Sequence, residues 1–522
     1  MIAIEGLSFS FAGSTRPALH DVDLHVAPGE FVAIAGPSGC GKSTLALAIG
    51  GYLFRQYEGQ AGGRVSVASM DVQQRPIHDV AEIVGLVQQN PEAQFCTLTV
   101  QDELAFGLEN RRLPPDEICE RMGWALSIVG AEHLADRSLV ELSGGEKQKV
   151  AVAAMMATKP QVLIFDEPTS NLDPTATADI FEVIARIREK ADVTVIVIEH
   201  KLDYLRPFAP RMVVMESGRI VYDGPFEGAP RPPDLLSRQS PPIPATGDGR
   251  GAVVRVEDLH AGYDGTRALH GVSVEFHPGE SVAVMGDNGS GKTTFVHSLL
   301  GLLKPQQGRV EVLGHDTRQV PVSRMARQVG LIFQNPDHQL FADSVWEEAV
   351  LAPRNLDLLD GRTRQLVEEY LQRGGLGQRL DDHPHRLSYG EKRRLNLISI
   401  LSYDPQIILL DEVLIGQDPA SAAFLLELVR ERVEGGSTAV MVNHAPQVSQ
   451  AYATRLLFFD GGQIVVDAPP DEAFDRLAAM GRDAYLPPGK VASKAAGAPM
   501  ATARQDKRPA SATPGLVPKG QP

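Results

Sequence analysis

Cysteine is scarce in this chain: Cys40, Cys96 and Cys119 are the only three among 522 residues. An odd number without paired spacing excludes a disulfide framework and a zinc site built on cysteine pairs, and it fits a reducing cytosol. Long apolar runs are missing too. Stretches such as Val162–Phe165 and Ile407–Leu410 fall far short of the roughly 20 residues a membrane helix needs. The N-terminus, MIAIEGLSFSF, has no basic segment leading into an apolar one, so no secretory signal is expected. Nor is there a surplus of positive charge. Lys and Arg number 50 against 66 Asp and Glu, a net charge of −16, which argues against binding a nucleic-acid backbone. What remains is the composition of an ordinary globular protein, 43% hydrophobic and 22% charged. Its length predicts two domains of about 200 residues each.

What is present is repetition. GPSGCGKS at Gly36–Ser43 has a second copy, GDNGSGKT at Gly286–Thr293. Both read Gly-x-x-x-x-Gly-Lys-[Ser/Thr], a loop whose backbone N–H groups wrap phosphates. The first loop runs Gly36, Pro37, Ser38, Gly39, Cys40, Gly41, Lys42, Ser43, Thr44. The second runs Gly286, Asp287, Asn288, Gly289, Ser290, Gly291, Lys292, Thr293, Thr294. Lys42 and Lys292 are expected to reach the β/γ-phosphates of a nucleotide, and Ser43 and Thr293 to hold Mg²⁺. Four further motifs follow each loop in the same order, at a separation of about 245 residues that duplication explains and chance does not.

The first copy spans about 1–228 and the second about 252–485. Between them, 229–251 is rich in Pro, Gly and Ser and reads as an extended linker. The tail, 486–522, lacks apolar periodicity and reads as disordered. Its scattered Lys490, Lys494, Arg504, Lys507, Arg508 and Lys519 indicate a solvated stretch, with weak attraction to an anionic membrane surface as the alternative. Within each copy, short apolar runs bounded by turns point to a buried parallel sheet. These runs are Phe31–Ala35, Val162–Phe165 and Val193–Ile198, then Ser281–Met285, Ile407–Leu410 and Thr438–Val442. The region Glu92–Ala157 reads as mostly helical, a lobe beside the core.

Polar residues at the C-terminal ends of such strands are where α/β sheets place ligands. Asp166 and Glu167 end VLIFDEP, and Asp411 and Glu412 end IILLDEV. The aspartates suit a hard divalent ion beside phosphates, and the glutamates suit the role of general base toward water. Alone, such a pair is a common solvated turn; after a phosphate loop at this spacing it is a site. Leu142–Glu146 reads LSGGE and Leu387–Glu391 reads LSYGE. Ser143, Gly144 and Gly145, like Ser388 and Gly390, would offer a hydroxyl, bare N–H groups and the positive end of a helix dipole to an anion.

This motif series resembles the ATP-binding-cassette ATPases, in a tandem arrangement covering nearly all of the chain outside the linker and tail. The resemblance implies an α/β fold of two P-loop cassettes, each a mostly parallel core with an antiparallel β subdomain and a helical lobe. It also implies a head-to-tail sandwich holding two ATP molecules with Mg²⁺. One site would join Gly36–Thr44, Gln89, Asp166, Glu167 and His200 to Ser388 and Gly390. The other would join Gly286–Thr294, Gln334, Asp411, Glu412 and His444 to Ser143, Gly144 and Gly145. Glu167, His200, Glu412 and His444 are the catalytic residues in this reading. Ser43, Gln89, Asp166, Thr293, Gln334 and Asp411 surround the metal, and Phe11 and Tyr263 match the aromatic that stacks on adenine. The second half departs from the pattern in three places: Tyr389 in the signature, Val413 after the acidic pair, and Gly416-Gln417-Asp418 opposite Asn171-Leu172-Asp173. A ring at Tyr389 beside the first site's γ-phosphate is expected to slow closure, giving two hydrolytic sites of unequal rate.

The glutamine loops, VGLVQQNPEAQF at Val84–Phe95 and VGLIFQNPDHQLF at Val329–Phe341, are similar to those of the energy-coupling-factor importers of vitamins and transition metals. That likeness implies a separate transmembrane scaffold subunit, a substrate-capture membrane protein, and peripheral attachment at the cytoplasmic face of a prokaryotic membrane. Asp102, Glu103, Glu347 and Glu348 are then candidates to pair with arginines on the scaffold. A ribosome-associated tandem ATPase is disfavoured by the short Pro-rich linker, and a DNA-repair ATPase by the missing zinc-spaced cysteines. An exporter ATPase shares the catalytic motifs. The cargo, whether cobalt, nickel, a thiamine precursor, biotin or riboflavin, is not encoded here.

Overall fold

The computed structural model describes residues 1–13, 17–230, 251–263, 266–417, 419–487 and 490. The expected linker, apart from its ends at Ala229, Pro230 and Gly251, lies outside the described residues, as do Asp418 and nearly all of the expected tail.

Each half builds two sheets. In the first, the core sheet runs in the order Arg219–Pro225, Arg211–Glu216, Phe31–Ala35, Thr194–Ile198, Val162–Asp166, Val84–Val87. All neighbours are parallel except the terminal hairpin between Arg211–Glu216 and Arg219–Pro225. The second half repeats this order: Val329–Ile332, Ile407–Asp411, Thr438–Val442, Ser281–Gly286, Arg455–Asp460, Gln463–Ala468. A four-stranded sheet with antiparallel pairing packs on each core, formed by Leu19–Val26, Ile2–Phe11, Gly59–Val67 and Met70–Asp71 in the first half.

Strand periodicity explains why the core runs are apolar throughout. Ala33, Leu163, Phe165, Val195 and Val197 pack toward the helical lobe. Their alternates Val32, Ile34, Val162, Ile164, Ile196 and Ile198 pack toward the antiparallel sheet and the helix Lys42–Ile49. A strand covered on both faces has no solvent side to reserve for polar residues.

The lobes are helical because their starts are capped. Thr99 caps Val100–Asn110 and Ser344 caps Val345–Asn355. Ser143 and Ser388 form full capping boxes with Glu146 and Glu391 at the heads of Gly144–Ala157 and Tyr389–Leu401. The expectation of helix across 92–157 is met by Val100–Asn110, Pro115–Val129 and Gly144–Ala157, joined by short 3₁₀ turns.

Candidate nucleotide sites

Parallel pairing brings the predicted motifs to one edge. Phe31–Ala35 lies beside Thr194–Ile198, which lies beside Val162–Asp166, with Asp166 opposite Ile198. The phosphate loop, the acidic pair and His200 therefore leave the sheet together. Gly36 has φ 149° and Gly41 φ 106°. A Cβ at Gly36 would stand 2.2 Å from the Met215 carbonyl oxygen, and one at Gly41 2.6 Å from that of Ala18. Only glycine fits both the conformation and the space.

Within the first site, Lys42 Nζ donates to the carbonyls of Gly36 (2.9 Å) and Pro37 (3.0 Å), so its ammonium lies along the loop. Ser43 Oγ donates to Asp166 Oδ1 at 3.0 Å. Burial, and next the charge of Glu167, push the Asp166 carboxyl up to about 6. Burial also acts to raise Glu167. The hydrogen bond and charge of His200, with Lys42 Nζ 4.0 Å away, outweigh it and hold Glu167 below the usual carboxylate range. His200 Nε2 therefore donates to Glu167 Oε1 at 3.0 Å, since an ionised carboxylate can only accept.

The second site repeats these contacts. Lys292 Nζ bonds the carbonyls of Gly286 (2.9 Å) and Asp287 (2.8 Å), and Thr293 Oγ1 donates to Asp411 Oδ1 at 3.2 Å. Burial, then Glu412, lift Asp411 to about 6. His444 Nε2 meets Glu412 Oε1 at 2.9 Å, and Gln334 Nε2 donates to Glu412 Oε2 at 2.6 Å. Glu167 (φ 49°) and Glu412 (φ 51°) share a left-handed backbone, which turns each carboxylate out of the strand direction. A hydroxyl against a buried carboxylate beside a phosphate loop is a donor set of hard oxygens, and it fits Mg²⁺ held jointly with phosphate oxygens. Among the described residues no group of three or more His, Cys, Asp or Glu could hold a metal without such help.

The halves meet head to tail. The backbone N–H of Asn288 in the second loop donates to Asp173 Oδ2 of the first half at 2.9 Å. Ser143, Gly145, Asp173 and Thr175 line one cleft with Asp287. The first signature thus faces the second phosphate loop. On the other side Gln89 Nε2 is 3.6 Å from where a Cβ on Gly416 would stand, so Gln89 reaches the opposite half while Gln334 stays on its own glutamate. The hydroxyls of Ser143 and Ser388 donate to their own capping partners, Glu146 (2.7 Å) and Glu391 (2.8 Å). Phe11 packs edge-on against Phe9 and Tyr57, whereas Tyr263 is 48% exposed with its hydroxyl 2.9 Å from His297 Nδ1.

Three expectations change. Tyr389 lies back on its own half: Arg393 Nη2 donates to its hydroxyl at 2.9 Å, the guanidinium sits 5.3 Å from the ring centroid, and the hydroxyl reaches the Gln334 carbonyl at 3.4 Å. Glu103 and Glu348 are buried and hold their own loops. Glu103 Oε2 accepts from the N–H groups of Cys96 and Thr97, and Glu348 Oε2 from those of Phe341 and Ala342. Neither is available to an arginine on another protein. Asp102 and Glu347 stay at the surface, bonded to Thr99 (2.6 Å) and Arg354 (2.6 Å). The glutamine-loop strings likewise serve the loop itself. Gln94 and Gln339 clamp the backbone on either side, and Glu92 and Asp337 pair with Lys147 and Lys392 of the signature helices.

Sequence reasoning passed over Asp173 as a site residue. Its signal is an acid directly before Pro174, the N-cap position of the helix Pro174–Lys190.

Residues 19–170 and 269–414 match the family described as "ABC transporter". The chain belongs to that family, as a tandem ATP-binding protein with two cassettes. It is 34% identical to a Methanosarcina acetivorans "Putative ABC transporter ATP-binding protein", over 93% of this chain and 89% of that one. It is 31% identical to the "Putative HMP/thiamine import ATP-binding protein YkoD" of Bacillus subtilis, over 93% and 94%. A solved structure of cbiO1 from Clostridium perfringens, described as part of the complex cbiONQ, is 32% identical over 43% of this chain and 88% of that one, with a TM-score of 0.40. Members of the family are ATPases. Among the described residues no helix is long and apolar enough to cross a membrane.

Proposed function

We propose that this ATPase drives an importer of the energy-coupling-factor type, taking up a vitamin or transition-metal ion through separate membrane subunits at the cytoplasmic face. The observation that carries this reading is the set of large apolar side chains facing solvent beside the rigid glutamine loops, a pair at the first and a phenylalanine at the second. Leu98 is 73% exposed, its neighbour Val140 77% and Phe341 76%. Leu98 and Val140 are held side by side, because the N–H of Leu139 donates to the Leu98 carbonyl. Large apolar side chains fixed outward on a stiff support mark a docking surface. A relative named for HMP/thiamine import, matching along nearly its whole length, supports the same reading.

Chemically, Glu167 and Glu412 would take the proton of the attacking water, held in place by His200 and His444. Lys42 and Lys292 would turn from the loop carbonyls to the phosphates. Ser43 with Asp166, and Thr293 with Asp411, would hold Mg²⁺, which would neutralise phosphate charge when bound. Gln334 and Gln89 would report on the phosphate end to the lobes. Ser143, Gly144 and Gly145 would complete the second site, and Ser388 with Gly390 the first. ATP binding favours the closed sandwich because only there do both halves contact it, and a ligand shifts a conformation only by such preference.

Purifying the tagged chain from membranes in mild detergent tests the proposal. A multispan scaffold is expected to accompany it, and to be lost with Leu98→Glu plus Phe341→Glu while ATP binding persists. Recovery of ribosomes in its place, or a scaffold indifferent to both changes, would overturn it.

A further inference from the structure

Asp287 occupies the position of Pro37 in the second phosphate loop, and three side chains hold its carboxylate. Tyr485 Oη donates to its Oδ1 at 2.7 Å and Arg482 Nη1 to its Oδ2 at 3.0 Å. Thr175 of the first cassette reaches Oδ1 at 3.4 Å. One residue on, the N–H of Asn288 bonds Asp173 Oδ2 at 2.9 Å. Arg482 also pairs with Asp460 at the end of the strand adjoining the loop, and its guanidinium lies over Phe458. Tyr485 is fully buried, edge-on to Phe458 at 4.8 Å. Its short turn, Asp483–Tyr485, packs against the helix Pro174–Lys190 of the first cassette. Burial, and then the bond to Asp287, push the Tyr485 phenol well above its ordinary value, so it remains a donor.

Among the described residues the first cassette shows no counterpart to this arrangement. Its loop carries Pro37, and its last strand, Arg219–Pro225, is followed only by the turn Phe226–Gly228 before the described residues break off. In the second cassette the helix Pro470–Ala479 intervenes and returns the chain to the loop.

We propose that Arg482 and Tyr485 are positioning residues forming a C-terminal strap, which grips the second phosphate loop and holds it against Asp173–Thr175. The cassettes are hinged at the second site, and the first site is the edge that opens between turnovers. The inference rests on reading the two clefts as nucleotide sites. Opening this edge would break the contacts of Thr175 and Asp173 to the loop and uncover the buried Tyr485 turn where it packs on Pro174–Lys190. Arg482 and Tyr485 keep the loop carboxylate placed to make those contacts.

Spin-label distances on the full chain test this, with exposed Cys96 and Cys119 first replaced by serine. One pair, at Glu182 and Met480, spans the second edge; another, at Glu216 and Glu427, spans the first. Without nucleotide the Glu182–Met480 distribution is expected to be narrow and the Glu216–Glu427 distribution broad, the latter contracting with ATP and Mg²⁺. In Arg482→Gln with Tyr485→Phe, and to a lesser degree in Tyr485→Phe alone, which keeps the buried ring, the Glu182–Met480 distribution should broaden to resemble the first edge. Equal opening at both edges of the unmodified chain, or a narrow distribution that survives both substitutions, overturns the strap. Failure of the Glu216–Glu427 distance to contract with ATP would instead count against the nucleotide-site reading, while the nucleotide-free comparison still decides the strap.

Discussion

A carboxylate beside a phosphate loop is held at a cost until a cation arrives. Asp166 and Asp411, each lifted to about 6 by burial and then by the adjacent glutamate, show that cost directly. Because their folded values lie above the ordinary one near 4, the folded state binds extra protons between about pH 4 and 6. Their contribution to stability therefore falls as pH rises through that window. Asp411→Asn is expected to raise the melting temperature of nucleotide-free protein at pH 7.5, and the gain should shrink toward zero below about pH 4; thermal melts across pH check both. The glutamates behave oppositely, kept ionised by their histidines. Glu167→Gln and Glu412→Gln should each remove one hydrolytic site, lowering single-site turnover by on the order of 10²–10⁴ while ATP still binds. Single-turnover assays on each variant measure this. Tyr389 changes the expected asymmetry. Its ring is drawn back by Arg393 onto its own glutamine loop, so Tyr389→Gly is expected to disturb Gln334 and Glu412 in the second site rather than relieve the first. Turnover of that variant in a Glu167→Gln background would show it.

At the level of elements, the glutamine loop is a braced turn and not a free tether. Asn90 and Asn335 cap the turns that follow the glutamines, Gln94 and Gln339 bond back to the preceding strands, and Glu103 and Glu348 close the far ends. Glu348, 2% exposed, accepts two backbone N–H groups at 2.7 Å each. Glu348→Ala leaves both without a partner and should cost about 2–3 kcal/mol of stability, read by denaturant unfolding of the intact chain. The motif strings were legible in the sequence because they are local: a loop, a strand end, a helix start. The direction of the acids was not. Glu347 and Glu348 are adjacent on one helix, yet one faces solvent and the other the loop. That choice depends on which turn of the helix packs against the strand end.

For the whole molecule, the central fact is that Asp173 joins the two cassettes. Asp173 serves as helix cap, through Oδ1 to the Ala176 N–H, and as bridge, through Oδ2 to Asn288. Asp173→Ser keeps a capping hydroxyl but cannot make both bonds. ATP turnover should fall while the melting temperature moves little; kinetics and calorimetry on the same preparation separate the two effects. By itself the sequence determined the number of cassettes, the order of their motifs and which side chains stand at each strand end. These follow from short-range patterns: period-two burial, glycines where backbone meets backbone, caps ahead of helices. Tertiary structure alone decided which side chains cross the interface, where Tyr389 turns, and how Arg482 and Tyr485 come back to Asp287 from almost 200 positions away. No local pattern encodes such contacts, because they join segments far apart in the chain that meet only when the fold is complete.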